Sequence, residues 1–269
     1  MKMDNTYNDI LKWKDVPIPN PDFDIESVRN YQMIKIDNKN PLSRETLVDL
    51  REFDITGVNY YHSQFNPPYY QSIPGSIPEL RSRKTVVEKL SRINEKLKFV
   101  GIELFIFDVF RPLAVQNYFY HQWVPQYLRS TYPEKDEEWI KKEASSYWAK
   151  GAKNKEGLLT SIPPHSTGAA VDLTLCFKET GHLLEMGSIF DDITERSHST
   201  YFENCQDHKS FTIIEAQKNR RLLYHLMSAE GFTQHPKEWW HFSYGDQMWA
   251  LISKQAVAFY GYAGNEFSI

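Results

Sequence analysis

The run His165-Ser166-Thr167-Gly168-Ala169-Ala170-Val171-Asp172-Leu173-Thr174-Leu175 decides how this chain is read. Its second half alternates. Val171, Leu173 and Leu175 fall on one side of an extended strand, Asp172 and Thr174 on the other. Such a strand needs an apolar layer against one face and presents a carboxylate on the opposite face. His165 stands an odd number of residues upstream, so an unbroken strand would aim its ring away from Asp172. Gly168 supplies the break, because glycine accepts the backbone angles of a bend or bulge.

A second run, Glu238-Trp239-Trp240-His241, answers the first. Glu238 and His241 are three apart, so one helical turn or a tight bend turns both into one cavity. Trp239 and Trp240 are expected to wall that cavity. Two neutral imidazoles and one carboxylate suffice for a catalytic zinc site, which takes three protein ligands and leaves a position open. His165, Asp172 and His241 are the candidate ligands of one zinc ion per chain. Glu238 is the carboxylate left over, and metal-assisted hydrolysis needs a base. Each residue alone has a plainer reading: one of nine histidines is ordinarily surface or core, and a buried aspartate is ordinarily scaffold. The pairing of the two runs favours the metal. A structural zinc would close its last position with thiolate or imidazole, and neither run contains a cysteine.

Three further segments extend the pattern: Phe107-Asp108-Val109-Phe110-Arg111-Pro112, Met186-Gly187-Ser188-Ile189-Phe190-Asp191, and Asn219-Arg220-Arg221-Leu222-Leu223 with Met227 and Gly231-Phe232. Together the five resemble the signature of the zinc D-alanyl-D-alanine dipeptidases, relatives of the zinc D,D-carboxypeptidases. The likeness runs in order over roughly residues 45 to 260. It implies His165, Asp172 and His241 as zinc ligands, Glu238 as catalytic base, and Arg111 as the cation that stabilises the developing oxyanion. A guanidinium suits that role, being always charged and carrying a rigid fork of donors. Asp108 is expected to orient Arg111 within the substrate site, and Asp191 to meet the ammonium of a free dipeptide, with Asp192 beside it also available. Family members carry a serine two positions before the first histidine, where this chain has Pro163; Ser166 or Ser161 is expected to supply that hydroxyl.

The implied substrate is a small D-amino-acid dipeptide of peptidoglycan chemistry. Two other readings stand beside it: a zinc D,D-carboxypeptidase with a wider pocket for longer peptides, and a zinc-binding recognition domain without turnover. Glu238 and Arg111 argue against the last, since a pure binder needs neither a base nor an oxyanion partner.

The composition fits a soluble enzyme. A chain of 269 residues, 41% hydrophobic and 25% charged, supports a large core. It is read as one domain over 1–269. A net charge of −4 leaves no basic footprint for nucleic acid. No apolar leader and no run of membrane-spanning length is present, so the expected place is the cytoplasm, away from membranes. Cys176 and Cys205 make no disulfide framework. No sequence signal speaks to an oligomeric state.

Periodicity and punctuation predict the rest. Residues 1–30, broken by Pro17, Pro19 and Pro21, read as an extended arm, and Met33–Ile36 as a short strand. Residues 56–79, rich in proline and tyrosine, form a long shaped loop. Val86, Leu90, Ile93 and Leu97 mark a helix, Ile102–Phe107 a strand, and Pro112 a helix start that Pro125 interrupts or ends. Further helices are expected over Asp136–Lys150 (closed by Gly151), from a capping box at Thr212-Ile213-Ile214-Glu215 to Gly231, and over Asp246–Tyr260 with Val257 inward. Lys150–Gly157 reads as a flexible polar segment. The stretch between Asp172 and Cys205 is expected to loop over the site, its His182 and His198 being solvated or extra ligands. The fold class is α+β, with a mainly antiparallel central sheet carrying the zinc site and helices packed against it.

Overall fold

The computed structural model describes residues 2–147, 151–153, 159–205 and 210–264. Its centre is a five-stranded sheet in the order Thr56–Gly57, Ile102–Asp108, Ala170–Phe177, His241–Ser243, Thr233–Gln234. Three of its pairings are antiparallel, and the edge pair Thr56–Gly57 with Ile102–Asp108 is parallel. The architecture is therefore α+β with a mixed sheet.

The strand Ala170–Phe177 is buried along all but its last residue. Its alternation separates core from site rather than core from water. Helix Lys84–Lys98 turns Val86, Val87, Leu90, Ile93 and Leu97 inward and packs on strand Ile102–Asp108, as expected of apolar residues recurring once per turn. Asn94 in that helix accepts from the backbone N–H of Leu104 at 2.8 Å and donates to the carbonyl of Asp54 at 3.0 Å, tying helix to sheet. Helix Phe211–Ala229 buries Leu222, Leu223, Leu226 and Met227 in the same core.

Register places the site. Asp172 pairs with His241 on one side and, beyond an irregularity after Ile106, with Asp108 on the other. Residues directly opposite across strands project from the same face. Asp108, Asp172 and His241 thus form one row across the three central strands. His165 reaches the row from a 3-10 turn, Pro164–Thr167, that ends at Gly168 with φ +71°.

Several elements differ from expectation. The first thirty residues are not an extended arm. They hold helix Lys2–Leu11 and 3-10 turns Lys12–Asp15 and Ile25–Met33, with Ile10 in the main core. Their prolines sit between these helical pieces. Pro125 does not stop its helix: chain direction carries on through a π-turn, Phe119–Trp123, into Val124–Thr131, where Pro125 occupies the first turn and needs no N–H partner. The capping box does not form. The helix begins at Phe211, and Ser210 at its N-cap makes no side-chain cap bond.

The last helix is only Gln247–Ile252, capped by Asp246 accepting from Trp249. The chain then turns at Lys254 (φ +57°) into a two-residue strand, which leaves Val257 exposed. The third expected helix covers Glu137–Tyr147; residues 148–150 before Gly151 and 154–157 of the polar segment lie outside the described residues, while Ala152–Lys153 of that segment pair as a short strand with Leu159–Ser161.

Gly168 is required twice over. A Cβ there would meet Leu47 Cδ2 at 2.3 Å, and the backbone is left-handed. Gly168→Ala is expected to destabilise the protein by about 1–3 kcal/mol in urea unfolding; wild-type stability would show that the bend after His165 is not constrained in this way.

Candidate active site

The residues brought together by register are also bonded together. Ligand atoms of His165, Asp172 and His241 all lie within 4.8 Å of one another, and all three side chains are buried. His165 Nδ1 is 2.8 Å from the carbonyl oxygen of Val109. A carbonyl only accepts, so Nδ1 carries the hydrogen and Nε2 turns its lone pair inward. That inward atom lies 3.0 Å from His241 Nδ1 and 3.1 Å from Asp172 Oδ2, while His241 Nδ1 lies 3.0 Å from Asp172 Oδ1. Burial would raise Asp172, but His165 and His241 outweigh it and hold the carboxyl well below its usual range. Burial pushes His241 down toward the neutral imidazole.

Two inward nitrogens and an ionised carboxylate converging in a buried recess are more acceptor than one proton can satisfy. This donor set fits a divalent cation of the zinc type. The outer supports fit as well, since ligand imidazoles are commonly fixed through their second nitrogen; here Val109 fixes one ring, and Ser243 Oγ sits 3.4 Å from Nε2 of the other.

Arg111 stands against this cluster. Its Nε donates to Asp108 at 2.9 Å, Nη1 to Gln116 at 3.1 Å and Nη2 to Asp172 at 2.9 Å. Its guanidinium lies 4.4 Å from the ring centre of Tyr61. Burial would lower its pKa, yet Tyr61, Asp108 and Asp172 raise it, so the charge is secure. Asp108 is fully buried behind it, bound to Arg111 and 3.1 Å from His165 Nδ1. It orients both groups and does not line the cavity. Ser166 does not line it either. The hydroxyl expected to face substrate is spent on the carbonyl of Arg111 at 2.9 Å, because the 3-10 turn points it back under the site.

Glu238 sits in a turn rather than a helix, with its N–H on the carbonyl of His235 and its own carbonyl accepting from His241. One oxygen is 3.6 Å from His241 Nδ1. Burial, then Asp172 and Asp191, push its carboxyl well above the usual range. The two tryptophans part company. Trp240 lines the cavity, whereas Trp239 turns away to donate from Nε1 to Ser188 at 2.9 Å.

The cavity, about 340 Å³, also contains Asp191. Asp191 holds a left-handed backbone (φ +58°), and its Oδ2 accepts from Tyr61 at 2.8 Å and Tyr69 at 2.7 Å. Burial, opposed by Arg111 and aided by Asp172, pushes its pKa up to about 7. The loop 56–79 therefore reaches the site through its tyrosines. The segment bearing Asp191 is fixed by Arg220, buried in the helix Phe211–Ala229, which donates to the carbonyls of Met186 (2.7 Å), Arg196 (2.7 Å) and His198 (2.9 Å). His182 is exposed and away from the site, and His198 is not among the cavity-lining residues.

Sequence reasoning missed Tyr61, Tyr69, Gln116, His235 and the segment Ile25–Gln32, all of which border the cavity or its carboxylates. Only His235, three residues before Glu238, offered a positional signal; the others carry none short of the folded chain.

A buried cluster of two imidazoles and a carboxylate, with a further carboxyl and a guanidinium beside it, is the kind of centre that metal-dependent hydrolases use. Residues 80–260 match the family model described as D-ala-D-ala dipeptidase, and the chain belongs to that family of peptidases. It is 35% identical over 175 residues to a D-alanyl-D-alanine dipeptidase of Synechocystis, covering 59% of this chain and 68% of the relative. It is 34% identical over 165 residues to one of Enterococcus faecium, covering 60% and 72%. A shorter stretch of 78 residues is 45% identical to one of Escherichia coli, covering 29% and 36%.

If the three residues hold one ion, purified wild-type protein should carry about one equivalent of metal by elemental analysis, and His165→Ala close to none. Equal metal content in the two would remove His165 from the ligand set.

Proposed function

We propose that this chain is a zinc dipeptidase that hydrolyses D-alanyl-D-alanine, with His165, Asp172 and His241 as ligands, Glu238 as general base and Arg111 as oxyanion partner. The observation that carries the reading is the convergence of these five side chains with Asp191 around one small cavity. Bound there, the ion would supply Lewis acidity, polarising the peptide carbonyl and acidifying water.

The chain's own residues account for the rest. Asp191, ionised and held by two phenol hydroxyls, receives the substrate ammonium. Arg111 meets the carbonyl oxygen as negative charge develops on it, a contact stronger in the transition state than in the ground state. Glu238 removes a proton from the attacking water. As the C–N bond breaks, it returns that proton to the leaving amine, so two D-alanines depart and the carboxylate is restored. A carboxyl raised by burial is suited to both halves of this exchange, because it takes up a proton more readily than a free carboxylate does.

A place in the cytoplasm is consistent with this reading: among the described residues no helix is long and apolar enough to cross a membrane, and Cys176 and Cys205 are both free thiols.

Glu238→Ala should retain its metal and lose about 10²–10⁴-fold in kcat on the dipeptide. Near-wild-type release of free D-alanine by that variant would remove Glu238 from its role.

The dipeptide's attraction to Asp191 requires the ionised carboxyl. As pH falls through about 7, Asp191 takes up its proton and the attraction is lost, so KM should climb on the acid side. Asp191→Asn should show a high KM whose acid limb is flat; an unchanged pH profile in that variant would assign the limb to another group.

A further inference from the structure

The family match begins at residue 80, yet the 3-10 helix Ile25–Met33 forms one wall of the cavity. The wall is anchored from behind. Val28 and Tyr31 pack on Met248, and Gln247 Nε2 donates to the carbonyls of Gln32 at 3.2 Å and Ile34 at 2.6 Å. In front, the carboxylate of Glu26 is shared between two cations. Lys237 Nζ lies 2.5 Å from Oε1, and Arg29 Nη2 lies 2.5 Å from Oε2. Arg29 and Lys237 line the cavity, while Glu26 does not. Two positive groups on one negative group leave a local excess of positive charge at this part of the cavity wall.

That excess has a chemical complement. A free dipeptide is a zwitterion, and Asp191 answers only its ammonium. Arg111 is engaged by Asp108, Asp172 and Gln116 deep in the site. A guanidinium carries five N–H donors in a fork that fits a carboxylate, and Glu26 takes up one terminal nitrogen of Arg29. The Arg29 side chain keeps 41% of its exposure, so its fork reaches solvent-filled space. Lys237 is one residue from Glu238, which ties the same charge pair to the turn that bears the base.

Resting on the dipeptidase reading, we propose that Arg29 and Lys237, yoked through Glu26, form the subsite that receives the C-terminal carboxylate of the dipeptide. Charge recognition at both ends then measures substrate length. A peptide extended or amidated at its C-terminus leaves the two cations without their anion, and that loss discriminates against it.

The test uses the metal-loaded enzyme with D-alanyl-D-alanine and its C-terminal amide as substrates. Wild type should favour the acid over the amide by at least about tenfold in kcat/KM. Arg29→Met should raise KM for the acid about 10- to 100-fold, leave its kcat nearly unchanged and barely alter the amide, so that the preference collapses. Arg29→Lys should restore most of it, and Lys237→Met should shift the preference in the same direction as Arg29→Met. Circular dichroism of each variant reports whether the fold is kept.

Equal cleavage of acid and amide by wild type, or an equal loss on both substrates in a folded Arg29→Met, overturns the subsite and leaves the dipeptidase reading intact. Cleavage of neither substrate by metal-loaded wild type overturns the dipeptidase reading, and the subsite with it.

Discussion

The carboxylate of Asp172 is the point on which the structure turns. It lies buried at the middle of the sheet, where an isolated charge would cost several kcal/mol. It is tolerated because Arg111 donates to one oxygen and two imidazoles face the pair. The arrangement follows from strand register. Sliding Ala170–Phe177 by one residue against its neighbours would turn Asp172 into the apolar layer and Val171 or Leu173 into the site. The apolar alternation of that strand therefore does two things at once: it fixes the core, and it fixes which residue stands opposite Asp108 and His241.

Around this rigid row, the groups suited to handling substrate are delivered by irregular backbone. Asp191 arrives on a segment with no regular structure, and a flexible carrier would blur its position. Arg220 prevents that by engaging three carbonyls of the segment from within a helix. It has no carboxylate partner in these bonds; burial and the nearby Arg196 push its pKa down to about 9. The turn bearing Glu238 is fastened to the same segment, for Ser197 Oγ donates to the carbonyl of Lys237 at 2.8 Å and Trp239 N to the carbonyl of Ser197 at 2.9 Å. Asp191 and Glu238 are thus held to one another as well as to the sheet.

What could be read from the sequence divides along the same line. Gly168, Asp172 and His241 were legible because a two-residue period and one glycine carry the geometry locally. Arg111 and Asp191 were legible through resemblance, and the structure places both at the cavity. Tyr61 and Tyr69 were not, since a loop of prolines and tyrosines has no period from which a direction can be inferred. Residues 25–30, expected as part of an extended arm, differ for a related reason: a 3-10 turn is too short to set up a helical repeat, and the prolines upstream suggest extension. Trp239 and Trp240 show the limit of adjacency, because neighbouring residues in a turn point apart, and only one can wall a cavity.

The N-terminal wall alters what the centre can select. A metal cluster with a base and a guanidinium is indifferent to how far a peptide extends, because all three act on the scissile bond alone. Length must be read elsewhere, by groups placed at the distances of the substrate's own ends. On the proposed reading, Asp191 would supply one such group from a segment within the family match, and Arg29 the other from outside it. The buried row and the proposed reading of length would then occupy different parts of the chain, so the first could stay fixed by sheet register while the second changed with the segment packed over it.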